Sequence, residues 1–174
     1  MNDDGNGRDN RELWPFTLDL YARPGVQDAV IALQENQGAD VNVLFYCVWS
    51  AVTGRGSLDA GSFDRVESQI ARWRQEVTKP LRRVRVHIKT DPILLALEGA
   101  TDARKKILEA EIESERIAQI AIESTAGQPS DEGSDAPAAI AERNLRAYLN
   151  YIDADIDTAA ETHLETLLRS TFPG

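Results

Sequence analysis

The sequence predicts an all-α protein, a single compact multi-helix domain of about seven helices around a buried central helix at residues 41–52. Three observations point there. Ala, Leu, Ile, Glu and Arg dominate while glycine and proline are sparse, which favours helix. Apolar residues recur at three- and four-residue steps in most segments. The one alternating run, at residues 84–88, has no evident partner strand.

Each element follows from local signals. Residues 1–10 are polar and Asp/Asn/Gly-rich and read as a disordered acidic tail, leaving 11–172 for the helical domain. A short helix is expected around "PFTLDLYA", with Pro15 in its first turn and an end before Pro24. Val26, Ala29, Val30 and Leu33 then form a stripe that Gly38 ends. Asp40 stands where an N-cap belongs, and Val41, Leu44, Phe45, Val48, Trp49 and Val52 make the central helix. Phe63, Val66, Ile70, Trp73 and Val77 give an amphipathic helix that Pro80 is expected to interrupt. "PLRRVRVHIKT" fits strand or helix, and helix is preferred because Pro80 suits a first turn.

A long helical region, broken at Gly99, is expected from Pro92 to Ala126. Its stripe of Ala103, Ile107, Ala110, Ser114, Ile117 and Ala121 is small enough for close helix packing. "GQPSDEGSDAP", residues 127–137, reads as a mobile polar linker. Ala141, Leu145, Tyr148, Leu149 and Ile152 share the face of a further helix, and Ala160, Leu164, Leu167 and Leu168 that of the last. Thr158 and Glu161 have capping-box spacing before the last helix.

Composition excludes several functions. A net charge of −10 argues against DNA binding and general nucleic-acid affinity, which is built on Lys and Arg. No run approaches the roughly 20 apolar residues of a membrane span, and the start has no signal-peptide pattern. With one cysteine and no such segment, a cytoplasmic protein is expected.

Candidate chemistry is thin. Asp153, Asp155 and Asp157 alternate as in a calcium loop, but Thr158 and Leu164 stand where glycine and glutamate are required. An N-capping turn explains them better. His87 and His163 have no second ligand at metal spacing, and Glu161 with Glu165 lacks the Glu-x-x-His partners of a di-iron site. Cys47 lies inside an apolar helix with no base beside it. No catalytic residue, metal or cofactor is expected. The segment from residue 72 to 89 holds Arg72, Arg74, Lys79, Arg82, Arg83, Arg85 and Lys89 against Glu76 alone. That is a docking face for RNA, an acidic partner or a phosphorylated ligand, or a set that pairs internally with "EAEIESE" at 109–115; internal pairing is preferred.

Leu20-Tyr21, Pro24-Gly25-Val26, Ile31-Ala32-Leu33-Gln34 and Asp40-Val41-Asn42, ahead of an apolar run ending in Trp49, form a pattern that resembles a proteobacterial family, domain of unknown function 2390. Ile31 departs from that family's leucine. The resemblance implies a small helical bacterial protein and no activity. It singles out Tyr21, Gln34, Asp40, Asn42 and Trp49 as polar or aromatic groups that either staple helix ends or line a pocket, with stapling preferred.

The leading expectation is thus a non-enzymatic protein-interaction or regulatory module with an unidentified protein partner, and a homodimer is compatible with the small-residue stripe. The alternative is a binder of a small or lipid-like ligand, conceivably an enzyme of unknown reaction, near Asp40, Asn42 and Trp49. RNA contact through residues 72–89 is the weaker alternative.

Overall fold

The computed structural model describes residues 11–130 and 135–173. The expected tail and the middle of the expected linker fall outside them. Helices run as α1 (Leu13–Tyr21), α2 (Val26–Gln37), α3 (Val41–Val52), α4 (Ala60–Trp73), a π-helical turn (Arg74–Thr78), α5 (Lys79–Thr90), α6 (Pro92–Leu95), α7 (Ala100–Glu123), α8 (Pro137–Tyr151) and α9 (Thr158–Thr171). No strand occurs among the described residues, so the fold is all-α and residues 84–88 are helical.

The central helix is α3. Every residue from Asn42 to Ala51 is buried, and Val41 and Val52 at its ends are half-buried. Helix α8 packs along it most extensively, with α1, α2 and α7 on other sides, while α9 covers α2. Asp40 starts the helix as expected, its Oδ1 accepting the Asn42 N–H at 2.9 Å. Helix α2 is entered through Gly25, whose φ of +79° is left-handed and whose missing side chain leaves Thr166 of α9 room; a Cβ there would lie 3.3 Å from that methyl.

Three expectations are corrected. Pro80 does not interrupt the helix: the chain passes from α4 to α5 through the π turn, where the Lys79 N–H reaches back five residues to the Arg74 carbonyl. Proline offers no N–H and its ring crowds the carbonyl four residues earlier, and the wider turn accommodates both demands. The turn also moves the inward position from Trp73 to Thr78, five residues on, so Thr78 is buried and Val77 is half-buried. The second correction concerns α7. Its buried positions are Glu111, Ser114, Ala118, Gln119 and Ile122, so of the expected stripe only Ser114 is buried, and Ala103, Ala110 and Ile117 are exposed. The helix turns a polar face inward because buried polar partners await it there.

The third correction is at α9. Asp157, not Thr158, is the N-cap: its backbone is extended and its Oδ1 accepts the Ala160 N–H at 2.8 Å. Thr158 is already helical, and Glu161 is drawn away to Arg146, at 2.7 Å. The aspartate string is therefore a capping turn, with Asp153 itself left-handed at φ +54°.

Helices α5 and α6 stand apart from this body. No residue of α5 is buried, and it packs chiefly on the π turn, α6 and α7. Together with the first half of α7 they form an arm.

Asp157→Ala should lower the unfolding free energy by about 1 kcal/mol and Thr158→Ala by much less. Urea denaturation of the two variants decides between the caps; equal losses would contradict the assignment of Asp157.

Candidate functional site

Between the body and the root of the arm lies a cleft of about 830 Å³. One wall is the end of α2 and the turn into α3, with Gln34, Glu35, Gly38, Ala39 and Asp40. The opposite wall is Glu67 of α4, Arg74 and Thr78 of the π turn, and Lys79 and Arg82 of α5. Glu115 of α7 and Tyr148, Tyr151 and Ile152 at the end of α8 complete it.

Two charge networks organise the cleft. Arg74 clamps Asp40 at 2.8 Å and Glu67 at 2.5 Å, so the cap of α3 is tied to α4 and the π turn. Tyr148 accepts the Asp40 N–H at 2.8 Å, bringing α8 to the same point. The second network runs inward. Arg82 donates to Glu115 at 2.7 Å, to Glu111 at 2.9 Å and to Gln34 at 3.1 Å, and Arg85 grips Glu111 again. The Asn42 amide donates to Glu115 at 2.5 Å and accepts from Gln119 at 2.9 Å, whose own carbonyl oxygen accepts from Thr17 at 2.9 Å. A polar chain thus crosses from α1 through α7 and α3 to α5. Asn42, one residue past the place a cap alone explains, is its middle link.

The expected pocket residues therefore separate. Gln34 and Asp40 line the cleft, and Asn42 lies beneath it, bonded to one of its lining residues. Tyr21 and Trp49 are elsewhere. Tyr21 meets Phe45 edge-on at 6.1 Å between ring centres, and buried Trp49 donates to the Arg11 carbonyl at 2.8 Å beneath the Arg55 guanidinium.

The expected basic face separates too. Arg74, Arg82 and Arg85 turn inward onto carboxylates, and Arg72 bonds Glu76 one turn along its own helix. The internal partners include Glu111 and Glu115 of the acidic segment. Lys79, Arg83 and Lys89 remain exposed without an ion pair among the described residues. Side-chain spacing at this turn changed with the π segment, and seven cations close in sequence do not share one surface.

Sequence reasoning missed Gln119 and Asn144. Asn144 is fully buried, accepting the Leu58 N–H at 2.8 Å and donating to the Cys47 and Gly56 carbonyls, each at 3.1 Å. Its signal was its position between Ala141 and Tyr148 on the apolar face of α8.

The arm carries a different kind of surface. Val84, Val86, Ile93, Leu95, Leu97, Leu108 and Ile112 are all exposed there, Ile93 to 78% and Leu97 to 60%. Beside Val84 a smaller groove of about 290 Å³ runs between α5 and α7. Chemically reactive groups are less available. Burial pushes the Cys47 thiol far above its ordinary pKa, so no thiolate is presented. Among the described residues no three His, Cys, Asp or Glu side chains gather in a way that could hold a metal ion. No helix among them is long and apolar enough to cross a membrane.

A body of stapled helices with a charged cleft and an apolar-tipped arm defines an all-helical protein whose polar groups serve first to join its elements. Comparison with protein families gives a match over residues 12–122 to a protein of unknown function, DUF2390, and the chain belongs to that family. The matched residues span α1 to α7, hence the cleft apart from its α8 rim. No curated protein and no solved structure matches the chain.

The two carboxyls at the centre, Glu115 half-buried and Glu111 buried, titrate in opposite senses. Burial raises Glu115 above the ordinary glutamate value, aided by the charges of Asp40 and Glu111 and opposed by Asn42 and Arg82. Burial acts on Glu111 as well, but the hydrogen bonds of Arg85 and Arg82 outweigh it and hold that carboxyl low. On acidification, Glu115 takes up its proton in the folded state first, which adds stability down to about pH 4.5. Below that, Glu111 protonates more readily in the unfolded chain, and stability falls toward its depressed folded pKa. The stability difference between the native chain and Glu115→Gln should thus grow as pH descends to about 4.5, and that against Glu111→Gln should shrink below it. Urea titrations from neutral to acid pH test this; parallel curves would contradict it.

Proposed function

We propose that this protein is a non-enzymatic interaction module that docks a protein partner on the arm of α5, α6 and the first half of α7. One observation carries the reading: seven of the ten large apolar side chains exposed among the described residues lie on the arm, from Val84 to Ile112. A soluble surface scatters such residues, and their concentration on one projecting element marks a contact surface. The absence of any buried residue in α5 supports it further, since the arm adds little to the core it leaves. Its attachment by Arg82 and Arg85 to Glu111 and Glu115 holds the presented face in one orientation.

Ile93→Asp with Leu97→Asp places charge on two side chains that touch little of their own protein, so folding is unaffected. Capture from the native host with the native chain and with this variant should give a reproducible partner that the variant loses. An identical captured set, or none in either case, would overturn the proposal.

The cleft supports a second reading, as a site for a small anionic ligand, on the ground that Lys79 at its rim has no ion pair among the described residues. A rise in melting temperature with carboxylate- or phosphate-bearing metabolites, abolished by Lys79→Ala, is the expected result. No shift at millimolar concentrations would remove this reading.

A further inference from the structure

We infer that the groove between α5 and α7 is the contact surface of a two-fold homodimer in which α7 crosses its mate at Ala110. This rests on the reading of the arm as a protein-binding surface and gives its α5–α7 side to a second copy of this chain, leaving Ile93 and Leu97 to the other partner.

The groove is lined by Val77, Pro80, Leu81, Val84 and Ile107, with Glu76 the one charged residue. It is apolar and open on one side, where Val84 stands 49% exposed. Ala103, Ala110 and Ile117 share the α7 face with Ile107, at helical spacing, and all three are exposed. The chain thus leaves uncovered an apolar groove and the edge of α7 that carries Ala103, Ala110 and Ile117, while Ser114 beside them is covered by Trp73 and Thr78.

The charges beside that face choose the occupant and its register. Lys106 and Glu113 lie on one flank of the face, two turns apart, and Lys106 has no ion pair among the described residues. Glu113 has only an exposed bond to Arg116 three residues on, at 2.6 Å, of a kind that exchanges readily with water or a better partner. A two-fold axis relating antiparallel helices keeps like flanks on the same side. Centred at Ala110, it sets Lys106 of each copy beside Glu113 of the other, forming two bridges at once. The same register places Ile117 of one copy against Ala103 of the second, a large side chain facing a small one. A parallel arrangement would put like flanks on opposite sides of the seam and form neither bridge, so the flank charges favour the antiparallel one. They also offset locally the repulsion expected between two chains of net charge −10.

The register has a sharp test in thiol chemistry, because the native cysteine, Cys47, is buried. Ala110→Cys should form a disulfide-linked dimer on mild oxidation, since the two thiols meet at the axis. Ala103→Cys should not, because seven residues on either side of the axis separate those positions by about 20 Å. Sedimentation of the full chain from about 1 to about 100 µM should show a reversible dimer that weakens with salt. Val84→Asp should make it monomeric, Lys106→Glu should weaken it at least tenfold, and Lys106→Glu with Glu113→Lys should restore it. A monomer throughout the range, a dimer indifferent to these changes, or equal crosslinking at residues 103 and 110 would overturn the inference. None of these results depends on Ile93 or Leu97, so the dimer can fail while the arm still captures a different protein, and the two readings are separated.

Discussion

The structure hangs on the carboxylate of Glu115, which Asn42 holds from the central helix and Arg82 holds from the arm. A charge so placed is costly to desolvate and stays only because donors meet it from two directions. Each donor is itself fixed elsewhere: Asn42 by Gln119, and Arg82 by Glu111 and Gln34. Removing one link leaves a buried polar group without a partner, which costs more than the bond was worth. The relative placement of α1, α3, α5 and α7 therefore follows from hydrogen-bond geometry as much as from apolar packing.

How far the sequence foretold this depends on whether the deciding forces were local. The central helix was legible because its apolar run and its cap at Asp40 act within a few residues. The pairing of the arginines with the acidic segment was legible from charge alone. The inward face of α7 was not, since Glu111 and Gln119 become suitable for burial only when Arg85, Asn42 and Thr17 are brought to them. Asn144 escaped notice for the same reason. Of the five pocket candidates, Tyr21 and Trp49 stand away from the cleft, because closeness in a sequence pattern is not closeness in space. Tyr21 leans on Phe45 while Trp49 faces Arg11, at opposite ends of α1.

The pattern that links the chain to its family acquires physical content residue by residue. Gly25 supplies the left-handed entry to α2, Gln34 steadies Arg82, Asp40 caps α3 and binds Arg74, and Asn42 joins three helices. The matched segment nonetheless ends at residue 122, before α8, which is the principal cover of the central helix. Asn144 and Tyr148 of α8 reach back to Cys47 and Asp40, so the two parts of the chain are joined by polar contacts at the middle and the start of α3. The body and the arm are built on different physics: burial secures α3, while α5, with no buried residue, is secured by ion pairs.

The π turn has a bearing on how such a chain can change over generations. A π turn is an α-helix carrying one inserted residue, and here the insertion and Pro80 depend on each other. Deleting a residue alone would drive the proline ring into the carbonyl four positions back. Replacing the proline alone would free the turn to tighten, rotating every later residue by about 100°. Arg82 and Arg85 would then swing away from Glu111, and the arm would present another side. Lineages are expected to keep both or lose both.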